Sequence, residues 1–505
     1  MIKLIYRIES DYMSKKRMLI VTSVTLSVVT ISLGIVKLYQ TYALSNYIGT
    51  VTDTGIDVYI NDDSYASIPA NGSSNVYYML TNTNPGTVKY GVAYQTTSGV
   101  TVKVYDTSED PATGTIEEND KKYIKLHLEN KNSTNKTIEL STVLGYENGG
   151  DLVVPSGVTL VTDTYTPPPT AAEYITKLYT TASKTTVTNN SITYNTAPSV
   201  SLMNDRLGGT TTDLDGGNIR YYGASPNNYI YFNCSDYSNQ TSSTCETWRI
   251  IGVFDGKLKL IRGSQIGTYS WDNKDTSTGA ESNFGKNDWT TARLMKLLNP
   301  SDYYTTDSND NNLGQGLYYN SASGKCYSGQ NNATVDCNFT STGIKNDITR
   351  NMIAETTYNL GGWNSNTVYP NLMYEKERGT TVYTGRPTTP WTGKIALAYT
   401  SDYGYAADLN QCKDKTLYDY NNSTCTSNNW MKAIITNNGS NSGWLLTPYC
   451  STSSNVWYVY PVGYVYFNYT VYSAFGAVPV LSLSSELGIE SGGDGSSSNP
   501  YKLSA

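Results

Sequence analysis

Apolar and polar residues alternate with period two through a long stretch of the chain that begins near residue 46. Ile56, Val58 and Ile60 follow this pattern. So do Val88, Tyr90, Val92 and Tyr94, then Val100, Val102 and Val104, then Ile124, Leu126 and Leu128. Successive side chains of a strand point to opposite faces, so each set marks one face of a strand. Repeated at short spacing, with turn signals such as Asn84-Pro85-Gly86 between, the pattern predicts an all-β sandwich domain over residues 46–165. The single histidine, His127, falls between Leu126 and Leu128. The alternation points it away from the core, to solvent and without a partner.

The pattern changes after residue 165. Pro167-Pro168-Pro169 reads as a stiff extended spacer and Ala171 to Ala182 as a short helix, and a Thr/Asn-rich run then continues to about residue 198, where the domain boundary is placed. Residues 166–198 are therefore expected to be a linker. The remainder, 199–505, reads as one α+β domain. Two β-rich runs, Trp248 to Phe254 and Lys257 to Arg262, flank Asp255-Gly256, which suits the two left-handed residues of a type I′ hairpin. Asp288 to Asn299 has a helical apolar face of Trp289, Ala292, Leu294, Leu297 and Leu298, with Asn287 or Asp288 as cap and Pro300 as stop. A second helix is predicted from Asn346 to Asn359, with Ile348, Met352 and Ile353 inward. Strands then run from Trp391 to the end.

One apolar run precedes all of this. Lys15, Lys16 and Arg17 close a basic tail, residues 1–17, and are followed by an uncharged stretch over 18–36. That stretch is long enough to cross a bilayer core of ~30 Å as a helix. Its basic N-terminal flank places that end in the cytoplasm and everything after Lys37 outside. It reads either as a transmembrane anchor or as the apolar region of a long signal peptide. In the second case the small residues of Ala43-Leu44-Ser45 allow cleavage after Ser45. The chain is expected at the cell membrane, single-pass with an extracellular C-terminus, or secreted if cleaved.

Composition agrees with a β-rich exterior protein. Charged residues are 16% of the chain, and tyrosine reaches 46 against 6 phenylalanines. The net charge of -7 and the lack of a basic stripe argue against a nucleic-acid partner. All seven cysteines lie from Cys234 onward. Cys234 with Cys245, Cys326 with Cys337, and Cys412 with Cys425 each bracket a polar loop, which in an oxidising compartment predicts three local disulfides. Zinc would want closer spacing and usually histidine. Cys450 is left over.

Catalytic chemistry is hard to assemble from these residues. No histidine follows His127, which excludes Ser-His-Asp, Cys-His and His-ligated zinc sites from the cysteine-containing part. Carboxylate pairs for glycoside hydrolysis remain open, although none stands out. No enzyme is expected, and no cofactor. Calcium is the one ion with a candidate loop, Asp307, Asn309, Asp310 and Asn311, and a weaker cluster at Asp213 and Asp215. Tyr318 occupies the place where an EF-hand has Glu, and a solvated turn is the competing reading.

The richest feature is aromatic. Trp457, Tyr458, Tyr460, Tyr464, Tyr466, Tyr469 and Tyr472 crowd one stretch among Asn, Ser and Gly, with Pro461-Val462-Gly463 as a turn between two strands. Alternation sets Trp457 and Val459 on one side and Tyr458 and Tyr460 on the other, so one set is expected to face outward. Tyrosine among Ser, Asn and Gly suits a recognition surface, because it offers rigid area and a polar tip at low entropic cost. Both faces covered, with the tyrosines as core, is the alternative.

Several motifs of the last 290 or so residues resemble those of a group of surface proteins from gut Gram-positive bacteria. They are Asn218-Ile219-Arg220-Tyr221-Tyr222-Gly223, Trp248-Arg249-Ile250-Ile251-Gly252-Val253, Asn287-Asp288-Trp289, Trp391-Thr392-Gly393-Lys394, Ser401-Asp402-Tyr403-Gly404-Tyr405-Ala406 and Gly443-Trp444-Leu445-Leu446-Thr447-Pro448-Tyr449. Gly476-Ala477-Val478-Pro479-Val480-Leu481 is similar to the closing strand of C-type-lectin-like domains of the sulfatase-modifying-factor and retroelement variable-protein types, with Val478 where that pattern has Arg. Thr41 to Ser45 with Thr54-Gly55-Ile56-Asp57-Val58 resembles the start of TasA/camelysin-like matrix proteins. These resemblances imply a lectin-like recognition domain on a β-sandwich stalk, binding an extracellular glycan or protein. The second reading is a matrix or fibre subunit, and the third an extracellular enzyme.

Overall fold

A computed structural model describes residues 47–50, 57–61, 65–82, 86–146, 152–206, 217–280, 282–306, 308–379, 381–383, 386–387, 390–413 and 415–504. The apolar segment 18–36, the cleavage motif before Ser45, Ile56, Asn84, Pro85, Asp213, Asp215 and Asp307 lie outside the described residues. Among the described residues, no helix is long and apolar enough to cross a membrane. The chain is mostly β-sheet with few helices, and it divides into two compact units, 1–167 and 168–505.

Besides a two-stranded sheet of Tyr47–Thr50 and Asp57–Asn61, the first unit holds two sheets around one core. One contains Tyr65–Ile68, Val88–Gln95, Thr113–Ile116, Lys136–Tyr146 and Val158–Leu160; the other contains Gly72–Thr81, Val100–Tyr105, Lys121–Asn130 and Thr164–Tyr165. The period-two sets become the facing sides. Val88, Tyr90, Val92 and Tyr94 from one sheet meet Val100, Val102, Ile124, Leu126 and Leu128 from the other, all buried, with Val104 packed at the edge.

His127 departs from its expected place. It does point away from this core, but it is 5% exposed instead of solvent-facing. Tyr165, on a strand running parallel to Val100–Tyr105, lays its ring flat on the imidazole at 3.6 Å. Asn75 Oδ1 lies 2.8 Å from Nδ1, and Glu129 lies 3.5 Å from Nε2. Burial lowers the imidazole pKa, Glu129 opposes this and Lys103 adds to it. The folded unit therefore resists a proton that the unfolded chain accepts near pH ~6.5. Stability is full above that pH and falls as the pH drops below it, levelling off once the folded imidazole is also charged. Protection factors of the amides along Lys121–Asn130 should fall between pH 7.5 and 5.5, and His127→Gln should remove most of that fall. An unchanged pH response in the variant would refute the assignment.

In the second unit, residues 168–198 are folded structure, not the expected linker. Ala171–Thr181 is a helix that starts with a capping box: Glu173 N–H donates to Thr170 Oγ1 at 3.2 Å, and Thr170 N–H donates to the Glu173 carboxylate at 2.8 Å. Its Ala171, Ala172, Ile175 and Tyr179 are buried in the main core. The Thr/Asn-rich run forms the hairpin Thr185–Asn189/Ile192–Ala197, the first two strands of a nine-stranded sheet.

That sheet continues through Leu202–Asn204, Ile219–Tyr221, Glu246–Phe254, Lys257–Arg262, Val480–Ser482 and Ile395–Ala396, with Tyr229–Phe232 also paired to Glu246–Phe254. The Asp255-Gly256 hairpin forms as expected, with both residues left-handed at φ 48° and 70°. Trp248, Ile250, Leu258 and Leu260 enter one core cluster, while Ile251 and Ile261 enter a second. Both faces of the sheet are therefore covered. Gly252 sits where the neighbouring strand comes closest: a Cβ there would meet Ile219 O at 2.0 Å.

Two helices are shorter than the periodicity suggested. Arg293–Leu298 is helical and buried on every side, preceded by turns in which Asp288 accepts from Thr290 N–H at 3.1 Å. Asp347–Met352 is capped by Asn346, but Thr356–Tyr358 beyond it is a strand paired with Trp391–Gly393. Ile348, expected inward, is 55% exposed; Met352 and Ile353 are buried. The three disulfides Cys234–Cys245, Cys326–Cys337 and Cys412–Cys425 are all formed, and Cys450 is free.

Candidate functional site

The aromatic stretch folds as a hairpin of Val456–Val459 and Val465–Tyr466. Gly463 N–H donates to Tyr460 O at 2.8 Å, closing the Pro461-Val462 turn, and Gly463 takes φ 109°. A side chain there would be strained and would meet Thr426 Cγ2 at 2.6 Å. Tyr458 lies opposite Tyr466, and Tyr460 N–H donates to Tyr464 O at 2.9 Å. Tyr458, Tyr460, Tyr464 and Tyr466 thus share one face, while Trp457, Val459 and Val465 share the other.

Neither face is wholly outward, contrary to the expectation from alternation. Trp457, Val459 and Val465 are fully buried in the second core cluster, where Trp457 Nε1–H donates to Trp363 O at 3.3 Å. Tyr458 is also fully buried, in the first cluster, and donates its hydroxyl to Asn468. Trp457 and Tyr458 are core residues. The tyrosine face opens only beyond Tyr458: Tyr460, Tyr464 and Tyr466 are half-buried, and Tyr469 is 45% exposed.

A sixth tyrosine, unremarked in the sequence, completes this face. Tyr418 lies in the short turn Leu417–Asp419, inside the loop closed by Cys412–Cys425. It is 36% exposed, and its ring stands 5.8 Å from Tyr464 and 5.3 Å from Tyr466, tilted 48° and 52° to them. Tyr460 and Tyr464 stack at 4.9 Å. The Tyr466 hydroxyl is raised in pKa by its hydrogen bond to Tyr418, and that of Tyr464 by burial and then by its tyrosine neighbours. Beneath the turn, Tyr403 donates its hydroxyl to Gly463 O at 2.5 Å. The face is anchored by core contacts and by a disulfide, so its rings are held in place before any ligand arrives. Tyr472 stands apart, beside the 43% exposed Phe284 at 5.9 Å.

The calcium candidate resolves differently. Asp310 is 5% exposed and pairs with Arg293 at 3.2 Å, while Tyr327 donates its hydroxyl to both Asp310 and Asn311. Asp310 is committed to a buried cation, which leaves its carboxylate engaged in the fold.

The sequence reading missed a buried ionic cluster. Arg220 donates from Nε to Asp205 at 2.5 Å and from Nη1 to Asp402 at 2.9 Å, and Lys259 donates to the other oxygen of Asp402. Arg220, Asp205, Asp402 and Lys259 are each 5% exposed or less. Burial alone would raise the Asp402 pKa, but Lys259 and Arg220 outweigh it and hold the carboxyl below its ordinary range. Glu377, fully buried, accepts instead from neutral donors, Ser401 N–H at 3.0 Å and Thr447 Oγ1 at 2.7 Å, and burial raises its pKa. Arg220 and Asp402 belong to two of the segments quoted above, but nothing in those segments marks the two, 182 residues apart in sequence, as partners.

Against known proteins the chain matches no family model, no curated protein and no solved structure.

Proposed function

We propose that this chain is a ligand-binding protein of the cell exterior, tethered or exported through residues 18–36. In this reading the second unit is a C-type-lectin-like recognition domain and the first is its stalk. The observation that supports it most is the half-open tyrosine face of Tyr418, Tyr460, Tyr464, Tyr466 and Tyr469, set on a hairpin whose other side is core. Pre-ordered, partly exposed aromatics at the edge of a rigid scaffold are the usual anchors of recognition surfaces. Three disulfides suit an oxidising compartment outside the cytoplasm.

The test combines binding with melting. The full chain is screened against arrays of glycans and of extracellular matrix proteins, alongside a variant with Tyr464, Tyr466 and Tyr469 all replaced by serine. Binding should fall by a factor of about 30 or more, since single hot-spot aromatics are each worth ~2 kcal/mol. The melting temperature should move by only a few degrees, because these side chains leave no core cavity. A variant that binds as well as the parent would overturn the reading, as would one that no longer folds.

A further inference from the structure

The tyrosine hairpin carries no charged side chain of its own. No Asp, Glu, Lys, Arg or His occurs from Ala433 to Ser485, in a chain that is 16% charged overall. The hairpin and its turn fall within this window. Charges flank it: Lys432 beside Gly463, and Asp419 with the exposed Lys413 and Lys415 in the disulfide-closed loop that carries Tyr418. What the face offers is ring surface, tyrosine hydroxyls and amides, among them the exposed Asn468.

Resting on the reading above, we propose that the occupant of this face is a neutral oligosaccharide. A sugar ring has an apolar C–H face and an edge of neutral hydroxyls. The first packs on an aromatic ring, and the second exchanges hydrogen bonds with phenol and amide groups. Tyr418 is tilted 48° and 52° against Tyr464 and Tyr466, which themselves stand edge-on at 80°, and this gives three ring planes meeting at angles in place of a flat wall. A sialylated, sulfated or phosphorylated ligand would bring charge onto a hairpin that has no cation of its own and would lose hydration there. A protein epitope rich in Lys, Arg, Asp or Glu meets the same cost.

The test uses the full chain and a glycan array carrying neutral chains with their sialylated and sulfated counterparts, read at low and high salt. Neutral glycans should bind, with a change below about twofold across the salt range, because no ion pair is there to be screened. Tyr464→Ser with Tyr466→Ser should weaken binding about tenfold or more. Tyr464→Phe with Tyr466→Phe keeps the rings and should retain most of it, which separates a lost surface from a lost fold. Preference for charged glycans, or binding that collapses with salt, would overturn the proposal. Tyrosine-dependent binding to proteins with none to glycans would overturn the sugar and leave the recognition face standing. If no probe's binding depends on these tyrosines, both readings fall.

Discussion

Replacing Asp402 by alanine should destabilise the second unit by about 3–5 kcal/mol, the cost of breaking a buried charge pair by removing one partner. One carboxylate here serves two cations. Its loss leaves Lys259 with no anion and Arg220 with Asp205 alone. The rings around them do not replace a carboxylate. Arg220 lies over Phe254 at 4.5 Å and Tyr405 at 4.7 Å, and Lys259 over Tyr399 at 4.7 Å, and such contacts stabilise by about 0.5–2 kcal/mol each. Tryptophan fluorescence in a denaturant titration reads this unit selectively, since all eight tryptophans lie from Trp248 onward. Asp336→Ala is the control. It removes an ion pair with Lys325 whose carboxylate is 87% exposed, and the midpoint should not move measurably. Equal effects from the two substitutions would show that the Asp402 cluster is solvated and does not hold the sheet to the segment after Tyr399.

The same cluster marks where sequence reading stops. Local features were legible because their causes are local. Asp255-Gly256 needs only two left-handed residues, and each cysteine pair needs only a short loop and an oxidising setting. The first unit's core was legible because its strands have one covered face each, so period two reports burial directly. His127 shows the limit even there: alternation gave its direction, but its cover comes from Tyr165, 38 residues on, in a strand too short to have a period. The helix expected to reach Asn359 failed because Thr356–Tyr358 found a distant partner in Trp391–Gly393, and pairing overrides weak local propensity. Arg220, Lys259 and Asp402 carry no local sign that they meet.

The tyrosine hairpin failed in an instructive way. A strand covered on both faces has no polar side, so alternation sorts its residues without saying which sort is outside. Trp457 and Tyr458 lie in different core clusters, and the open face starts only where the strands reach their turn. The sequence rule of one face inward and one outward was applied one turn too early. Tyr418 was passed over because it is a single tyrosine in a loop; only the Cys412–Cys425 closure brings it to Tyr464 and Tyr466.

This arrangement separates neighbours by their expected response. Trp457→Ala should cost about 3–5 kcal/mol, as truncation of a buried large aromatic does, because the surrounding core closes only partly over the void. The Trp457 ring packs edge-on to Phe467 at 5.1 Å and Tyr449 at 5.8 Å, and its loss also removes one of the two hydrogen bonds to the Trp363 carbonyl, leaving that from Cys450 N–H. Tyr458→Ala should fall in the same range and additionally frees Asn468 from its hydroxyl partner. Tyr469→Ser, eleven residues further along the same aromatic run, removes a ring that is 45% exposed and should cost well under about 1 kcal/mol, as surface substitutions away from special features usually do. Denaturant midpoints for the three variants, read by tryptophan fluorescence with the lost Trp457 signal accounted for, make the comparison. A recognition surface predicts a steep drop for Trp457 and Tyr458 with almost none at Tyr469. A uniform loss across all three would mean that the run is core throughout, and the tyrosine face would then have no ring free to meet a ligand.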